Sequence, residues 1–466
     1  MIKSDIDNLR LTESIAAVDK INAQFYGRFP YPWAPVNFSH PDDPYLHTDL
    51  INQDIGDWGR SVIPKNPNIW VAGCGTNQAV CTALSFPKGT VLGSDLSSTS
   101  LEICARNAKS LGVSNLQTKR ESLNTISYKD QFDYLICTGV IHHNADPRAT
   151  LEKLAGALKP EGIMELMVYN RFHWILPVAF QQAVRILGGN TDTINFESEL
   201  SIAKTIMGDL PQETLLARFT NRFKESPESR LADELLQPVL HSYTVESLEQ
   251  MAESCGLELI SPCLNQFDIA ARGPSWNMEF SDPILKEIYE SLPDTQRWQV
   301  TNLLLIESSP MIWFYLQRKD SGRQRKSERQ TCEEFLDTRF ARIKATQSVY
   351  LLTSDGQYKL LPDQVAYPSA APDSSVKGIV DLADGKASMR EIFQRLGLST
   401  SFYTVNQARL KTTSTAYPYL KAVRADELEG DRQISLASTA DEKEKRAKAN
   451  LEKLKTARRT GLRTSQ

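Results

Sequence analysis

The sequence predicts an α/β protein built on an open, mostly parallel sheet, and three short apolar segments carry this prediction. They cover residues 69–72, 90–93 and 132–137, and each has the length of a buried strand. Small or polar residues follow each segment, beginning at Gly73 and Ser94 in the first two cases. Because ligands bind beyond the carboxyl ends of the strands in such sheets, we expect a binding site where these segments end.

The first segment runs into a glycine-containing loop, residues 73–78. Gly73 and Gly75 lack the Cβ that would keep a ligand away from the backbone, and glycine tolerates positive φ. Residues 78–84 then predict a helix whose free N-terminal amides face the ligand. Asp95 lies 20 residues beyond Gly75, at the end of the next strand, where a carboxylate accepts hydrogen bonds from ribose hydroxyls. A nucleotide-type site is therefore favoured over the alternative, a generic turn with a surface aspartate.

The same loop disfavours a dinucleotide cofactor. The G-x-G-x-x-G pattern requires glycine at position 78, where it allows the helix to pack closely on the strand, and this chain has Gln78. A nucleoside cofactor without phosphate does not need the pyrophosphate cradle that this pattern forms.

The segments resemble the motifs of class I S-adenosylmethionine (SAM)-dependent methyltransferases. Residues 71–77 resemble motif I, residues 93–97 motif II, residues 132–143 the fourth strand with its loop, and residues 154–162 the turn before the fifth strand. The resemblance implies a Rossmann-like sheet of seven strands with helical inserts, SAM as the cofactor and methyl transfer as the reaction.

The resemblance also implies which residues contact the cofactor. They are Ala72, Gly73, Cys74, Gly75, Asn77, Gln78, Asp95, Leu96, Ser122, Leu123, Thr138 and Gly139. Three positions depart from the family pattern: Val71 replaces an acid, Asn77 a glycine, and Ser122 the acid that meets the adenine amino group. Asparagine tolerates a left-handed backbone, so we expect the turn to survive, and a serine hydroxyl accepts one hydrogen bond.

Candidate catalytic and substrate-binding residues flank these motifs. His142 and His143 follow the fourth strand, and the pKa of histidine suits a general base for an oxygen acceptor. The alternatives are packing against the adenine and a structural role. Tyr26, Tyr31 and Trp33 lie in a lead-in, residues 24–33, similar to the "Q-Y-E-x-x-P-Y-P" segment of a bacterial subgroup that folds over the cofactor. We expect these aromatics to wall the site, the alternative being an N-terminal arm packed on the core.

The chain predicts several regions around this site. The C-terminal region is similar to a winged-helix module, on the basis of a hairpin signal at Asp355-Gly356. An accessory or dimerisation domain is the alternative. The regions are an N-terminal arm or lid (1–50), a methyltransferase domain (51–320) with inserts at 171–240 and 264–310, a small α+β winged-helix-like domain (330–423) and a charged tail (424–466).

Composition narrows the function classes. The net charge of −4 gives no general attraction to nucleic acid or membranes, and no apolar run reaches the about 20 residues of a spanning helix. The seven cysteines show no C-x-x-C pair and no zinc spacing, which predicts reduced thiols in a cytoplasmic protein and no metal. Residues 138–141 also lack the N/D-P-P-Y/F motif of base amino methyltransferases.

We therefore expect a cytoplasmic SAM-dependent methyltransferase whose acceptor is a small molecule, an intermediate of a biosynthetic pathway being one option. The alternative is a protein or peptide methyltransferase that recognises its substrate through the C-terminal module. The identity of the acceptor, the attacked atom (O, N or C) and the oligomeric state stay open at this stage.

Overall fold

The strands of the protein form three sheets. The computed structural model describes residues 14–189, 194–265, 268 and 275–424. The strands are β1 (Asn37–Pro41), β2 (Asn68–Ala72), β3 (Thr90–Asp95), β4 (Leu116–Arg120), β5 (Phe132–Thr138), β6 (Leu158–Val168), β7 (Leu257–Pro262), β8 (Ile312–Arg318), β9 (Arg339–Arg342), β10 (Ala345–Leu352), β11 (Tyr358–Leu360), β12 (Val365–Tyr367), β13 (Asp384–Ser388) and β14 (Leu420–Ala422).

Helices connect and cover these strands. They are α1 (Ile15–Arg28), α2 (Leu46–Asp54), α3 (Gln78–Ser85), α4 (Ser98–Ser110), α5 (Pro147–Ala157), α6 (Ile175–Leu187), α7 (Phe196–Asp209), α8 (Leu215–Thr220), α9 (Glu228–Leu235), α10 (Val245–Ser254), α11 (Pro283–Ser291), α12 (Asp294–Leu305), α13 (Glu328–Asp337), α14 (Ser374–Leu382), α15 (Met389–Leu396) and α16 (Phe402–Thr413). Within the described ranges, no helix is both long and apolar enough to cross a membrane.

The central sheet has seven strands in the order β4-β3-β2-β5-β6-β8-β7. Neighbouring strands from β4 to β6 are parallel, whereas β8 runs antiparallel to both β6 and β7. The chain proceeds outward from β2 to β4 and then crosses back to β5, so the strand order reverses between β2 and β5. Ligands bind at this kind of switch point, and the predicted Rossmann-like sheet is confirmed.

Both faces of this sheet are buried. Trp70 belongs to a hydrophobic cluster on one face, whereas its neighbours Ile69 and Val71 belong to a cluster on the other. Side chains alternate between faces along a strand, so a strand covered on both sides has apolar residues at consecutive positions. This explains the uninterrupted apolar segments of the sequence.

A second, four-stranded sheet joins a strand from the N-terminal part of the chain to three strands from its C-terminal part. Strand β1 pairs antiparallel with β10, with Phe38 opposite Tyr350, and β10 also pairs with β11 and β12. The predicted hairpin around Asp355-Gly356 is confirmed, because Leu352 lies opposite Tyr358. Through β1, the strand that follows the lead-in is held by the C-terminal part of the protein.

The remaining C-terminal elements are helices α13 to α16 and the three-stranded sheet β13-β9-β14. An α+β composition is therefore confirmed, and the winged-helix similarity stays a prediction. By contact density, residues 1–421 form one compact unit, and residues 422–424 are the described part of a second. The charged tail lies outside the described residues from position 425 onward, so no structural account of it follows.

Candidate active site

The glycine loop is held against the end of β3. The amides of Gly73 and Cys74 both donate to the carbonyl oxygen of Ser94, at 2.8 and 2.9 Å. Gly73 has a φ of +74°, and a Cβ there would lie 2.5 Å from the Cγ2 atom of Val140. Only glycine fits this conformation and this contact, so the loop brings bare backbone to the switch point.

Asp95 stabilises the same loop from the tip of β3. Its Oδ2 accepts from the amide of Gly75 at 2.9 Å, and its Oδ1 accepts from the amide of Ser97 at 2.8 Å. Burial raises the pKa of this carboxyl above its ordinary value. Each carboxylate oxygen accepts about two hydrogen bonds, so both oxygens keep capacity for ribose hydroxyls.

Ser122 lies beside a carboxylate that local sequence did not indicate. Its Oγ donates to Asp19 of α1 at 2.5 Å, and Asn124 Nδ2 donates to the other oxygen of Asp19 at 2.9 Å. Ser122 stands where the family has an acid, so α1 supplies a carboxylate at that place from 103 residues away. Only the packing of α1 across the sheet edge reveals this residue.

The end of β5 borders open space. Gln78 Nε2 donates to the hydroxyl of Thr138 at 2.6 Å, which ties the start of α3 to β5. Gly139 has a φ of +77°, and a Cβ placed there meets no atom within 4 Å. The backbone at Gly139 therefore faces open space at the carboxyl end of β5, beside the switch point.

The predicted cofactor contacts fall into two groups by exposure. The half-buried ones are Gly73, Gly75, Gln78, Asp95, Leu96, Ser122, Thr138 and Gly139. The buried ones are Ala72, Cys74, Asn77 and Leu123. Residues in the second group expose little or no surface, backbone included, so the half-buried residues offer most of the surface that a ligand can reach.

Asn77 does not adopt the backbone conformation that we expected. Its φ is −138°, not left-handed, so the expectation of a left-handed turn at this position is wrong. Its side chain instead bridges two segments: Nδ2 donates to the carbonyl of Trp33 at 3.1 Å, and Oδ1 accepts from Asn107 at 2.9 Å. The turn therefore depends on these side-chain hydrogen bonds.

The lead-in lies directly on the glycine loop. The amide of Thr76 donates to the carbonyl of Tyr31 at 3.2 Å, and its hydroxyl donates to the carbonyl of Pro32 at 2.5 Å. With the bond from Asn77 to Trp33, three hydrogen bonds join the two segments. A Cβ at Gly75 would lie 2.6 Å from the Tyr31 oxygen, so the contact depends on glycine.

The two histidines lie beneath the lead-in and are buried, at 0% exposure for His142 and 4% for His143. Burial lowers the pKa of His142 well below its ordinary value and the pKa of His143 to about 4. His143 Nδ1 lies 2.8 Å from the carbonyl of Val239, which only accepts, so Nδ1 carries the proton. In the neutral ring, Nε2 is then an acceptor.

The predicted substrate residues are brought together by the insert after β6. Tyr26 on α1 and Tyr31 are half-buried, and the Trp33 side chain lies 5.9 Å from Tyr31 between ring centroids. Tyr26 Oη donates to Asp233 of α9 at 3.4 Å and accepts from Gln237 at 2.9 Å. Asp233 and Gln237 were missed at the sequence level, because the insert contains no motif.

Fold and site together define the class. A seven-stranded sheet with β8 antiparallel, a glycine loop at the switch point and Asp95 at the next strand end are the architecture of a class I methyltransferase domain. A family model described as a methyltransferase domain matches residues 68–183, which span this loop and β2 to β6. The protein is a SAM-dependent methyltransferase, and SAM is its cofactor.

Known proteins resemble the chain over different lengths. An uncharacterised protein of Synechococcus is 24% identical over 304 residues, covering 64% of this chain and 72% of that protein. A ubiquinone biosynthesis O-methyltransferase of Actinobacillus pleuropneumoniae is 27% identical over 143 residues, covering 29% of this chain and 56% of that enzyme. The solved structure of PKMT2 from Rickettsia typhi has a TM-score of 0.50 at 15% identity and covers 84% of this chain and 77% of that one.

Proposed function

We propose that the protein transfers the methyl group of SAM to a small-molecule acceptor bound between α1, the lead-in and the insert at residues 171–240. The observation that carries this proposal is the enclosure of the site. Helix α1 and the insert share one hydrophobic cluster, in which Phe25 and Phe29 pack with Phe180, Phe223 and Leu231. A cover with its own core limits the access of water to the site, which favours a small acceptor.

The residues of this chain supply position and solvent exclusion. SAM, when bound, supplies a methyl group already activated by a sulfonium. Asp95 and the glycine loop hold the nucleoside, and the lead-in covers the loop. An in-line displacement needs mainly alignment and exclusion of water. We propose that His143 Nε2 accepts a hydrogen bond from the acceptor or acts as its base. We also propose that His142, whose ring centroid lies 3.7 Å from that of Tyr169, supports the wall of the site.

The similarity to a ubiquinone biosynthesis O-methyltransferase over 143 residues supports a small acceptor. One observation favours the alternative, a protein or peptide acceptor. Six large apolar side chains of the second insert are exposed, and exposed apolar side chains mark contacts with other proteins when they form a patch. They are Ile284, Leu285, Ile288, Leu303, Leu304 and Ile306.

Fractionated labelling tests the proposal. Purified protein and tritium-labelled SAM are incubated separately with the low-molecular-weight filtrate and with the macromolecular fraction of a cell lysate. We expect label in the filtrate and none above background in protein. Asp95→Ala is the control, because losing hydrogen bonds to a charged group weakens SAM binding by about 1.5–3 kcal/mol. Label confined to protein would contradict the small-molecule proposal and support the alternative.

We also propose that the protein acts in the cytoplasm. All seven cysteines are free, and five of them are buried. Free thiols at this frequency are typical of a reducing compartment.

A further inference from the structure

A connected group of polar side chains lies under the lead-in, and we call it the Asp233 cluster: Asn22, Tyr26, His143, Asp233 and Gln237. Asn22 Nδ2 donates to the carbonyl of His143 at 2.7 Å, and the rings of Tyr26 and His143 lie 6.4 Å apart between centroids. Gln237 Nε2 donates to both Tyr26 and Asp233, at 2.9 and 2.8 Å. The members therefore share one volume beside the predicted acceptor site.

The cluster has more acceptors than donors. Among the described residues, Gln237 Oε1, Asn22 Oδ1 and His143 Nε2 are buried and receive no hydrogen bond. Their residues are exposed by 0%, 5% and 4%, so bulk water does not supply the missing donors. A buried acceptor without a donor is destabilising, which points to a ligand that brings several hydrogen-bond donors.

The cluster also contains a buried carboxyl group that, within the part of the chain that the structure describes, has no cation beside it. Asp233 is 6% exposed, and no Lys or Arg nitrogen in the described ranges lies within 4 Å of it. Burial, and then the charge of Glu234, raises its pKa to about 7. The nearby Arg230 is engaged elsewhere, because it pairs with Glu234 at 3.2 Å and lies over the Trp33 ring. A cationic ligand would remove this imbalance.

Three tyrosines lie within electrostatic range of Asp233. Tyr26, Tyr31 and Tyr169 all have raised pKa values, caused first by burial and next by the negative charge of Asp233. The charge of Asp95 also contributes to the raised pKa of Tyr26, so Tyr26 lies within electrostatic range of both carboxyl groups. Aromatic faces attract cations, and a carboxylate among tyrosines is a typical environment for an ammonium group.

We infer that the Asp233 cluster binds the acceptor through a protonated amine, and that the substrate class is an alkyl amine. This inference rests on the proposed function and specifies its acceptor. A carboxylate ligand would place oxygen lone pairs against Asp233, and a catechol would bring two O–H donors but no positive charge. An ammonium group supplies three N–H donors and the charge that Asp233 lacks.

Methyl transfer to an amine requires a group that accepts one proton, and Asp233 can accept it. An ammonium ion loses one proton to Asp233 before its nitrogen lone pair is available. That lone pair forms the bond to the methyl carbon as the carbon–sulfur bond breaks, and the electron pair of the broken bond stays on sulfur. The methylated amine takes on the positive charge that the sulfonium loses, and Asp233 holds the proton that the ammonium gave up.

Binding of a matched pair of probes tests recognition without turnover. n-Hexylamine and n-hexanol are titrated by calorimetry into the full chain saturated with S-adenosylhomocysteine. We expect the amine to bind at least about tenfold more tightly than the alcohol, because charge-assisted hydrogen bonds are the stronger ones. Asp233→Asn keeps an oxygen for Tyr26 and Gln237 and should abolish the preference. Asp209→Asn removes an exposed charge from the end of α7 and should leave it unchanged.

Equal binding of the two probes to the native chain would overturn the inference, as would an unchanged preference in Asp233→Asn. Melting temperatures separate recognition from folding: replacing a buried, unpaired acid by its amide should not lower them.

A methylation assay tests the amine inference and the proposed small-molecule acceptor separately. Spermidine, a lysine-containing peptide and a catechol are supplied separately with labelled SAM. Methylation of spermidine supports both proposals. Methylation of the peptide alone supports the amine inference and contradicts a small-molecule acceptor. Methylation of the catechol alone supports a small-molecule acceptor and contradicts the amine inference.

Discussion

The contact between the lead-in and the glycine loop makes Gly75→Ala the sharpest test of the site. Gly75 has a φ of +53°, and a Cβ there would lie 2.6 Å from the Tyr31 carbonyl oxygen. That oxygen belongs to backbone, so it cannot swing away as a flexible side chain would. We expect the substitution to push the lead-in off the loop while the sheet below remains folded.

The magnitude follows from two separable terms. A left-handed conformation costs an L-residue about 1–2 kcal/mol. Displacing the lead-in breaks three hydrogen bonds worth about 0.5–1.5 kcal/mol each, or roughly 1.5–4.5 kcal/mol together. Gly112 offers a matched control, because its φ is +67° and a Cβ there meets nothing within 4 Å. Gly112→Ala therefore carries the first term alone.

Two measurements separate these terms. Urea denaturation should show that Gly112→Ala loses about 1–2 kcal/mol of stability and Gly75→Ala loses more. Calorimetry with S-adenosylhomocysteine should show unchanged affinity for Gly112→Ala and at least about tenfold weaker binding for Gly75→Ala, since 1.4 kcal/mol is tenfold. If a folded Gly75→Ala variant bound as tightly as the control, the lead-in would not be part of the cofactor site.

Two further predictions concern buried charge. Burial raises the pKa of Asp54 to about 7, despite hydrogen bonds from Thr415 and Tyr315. A folded-state pKa above the unfolded value near 3.8 means that the contribution of Asp54 to the free energy of unfolding is largest below pH 4 and falls by up to about 4 kcal/mol as pH rises through 7. Urea denaturation at pH 5 and pH 8 measures this loss, and equal stability at the two pH values would contradict it. Glu328→Ala should cost about 3–5 kcal/mol, because its buried carboxylate pairs with Arg297 at 3.1 Å. The exposed control Glu333→Ala should change stability by less than about 1 kcal/mol, and similar losses in both variants would refute the role of burial.

Local sequence was sufficient for the features that lie within one strand–loop–helix unit. The apolar segments predicted β2, β3 and β5, and the spacing from Gly75 predicted Asp95 at the end of the next strand. The hydrogen bond between Gly75 and Asp95 was found only in the structure. These features follow from the chain alone, because a buried strand, a positive-φ glycine and a strand-end acid are set by neighbours close in sequence.

The acceptor side of the site depended on contacts that sequence periodicity does not encode. Asp233 lies 207 residues from Tyr26, and no spacing rule relates them. His143 was visible as a candidate, but only packing determined its burial, its tautomer and its low pKa.

The amino-acid sequence by itself predicted the apolar strands and the glycine loop, because these depend on residues close together in the chain. Its resemblance to class I methyltransferases implied the seven-stranded sheet and SAM as the cofactor. Only the tertiary structure decided that Asp19 joins Ser122, that the lead-in covers Gly75 and that Asp233 is buried without a cation. The physical reason is that hydrogen bonds, charge and desolvation act through distance in space, which is fixed when separate elements pack together.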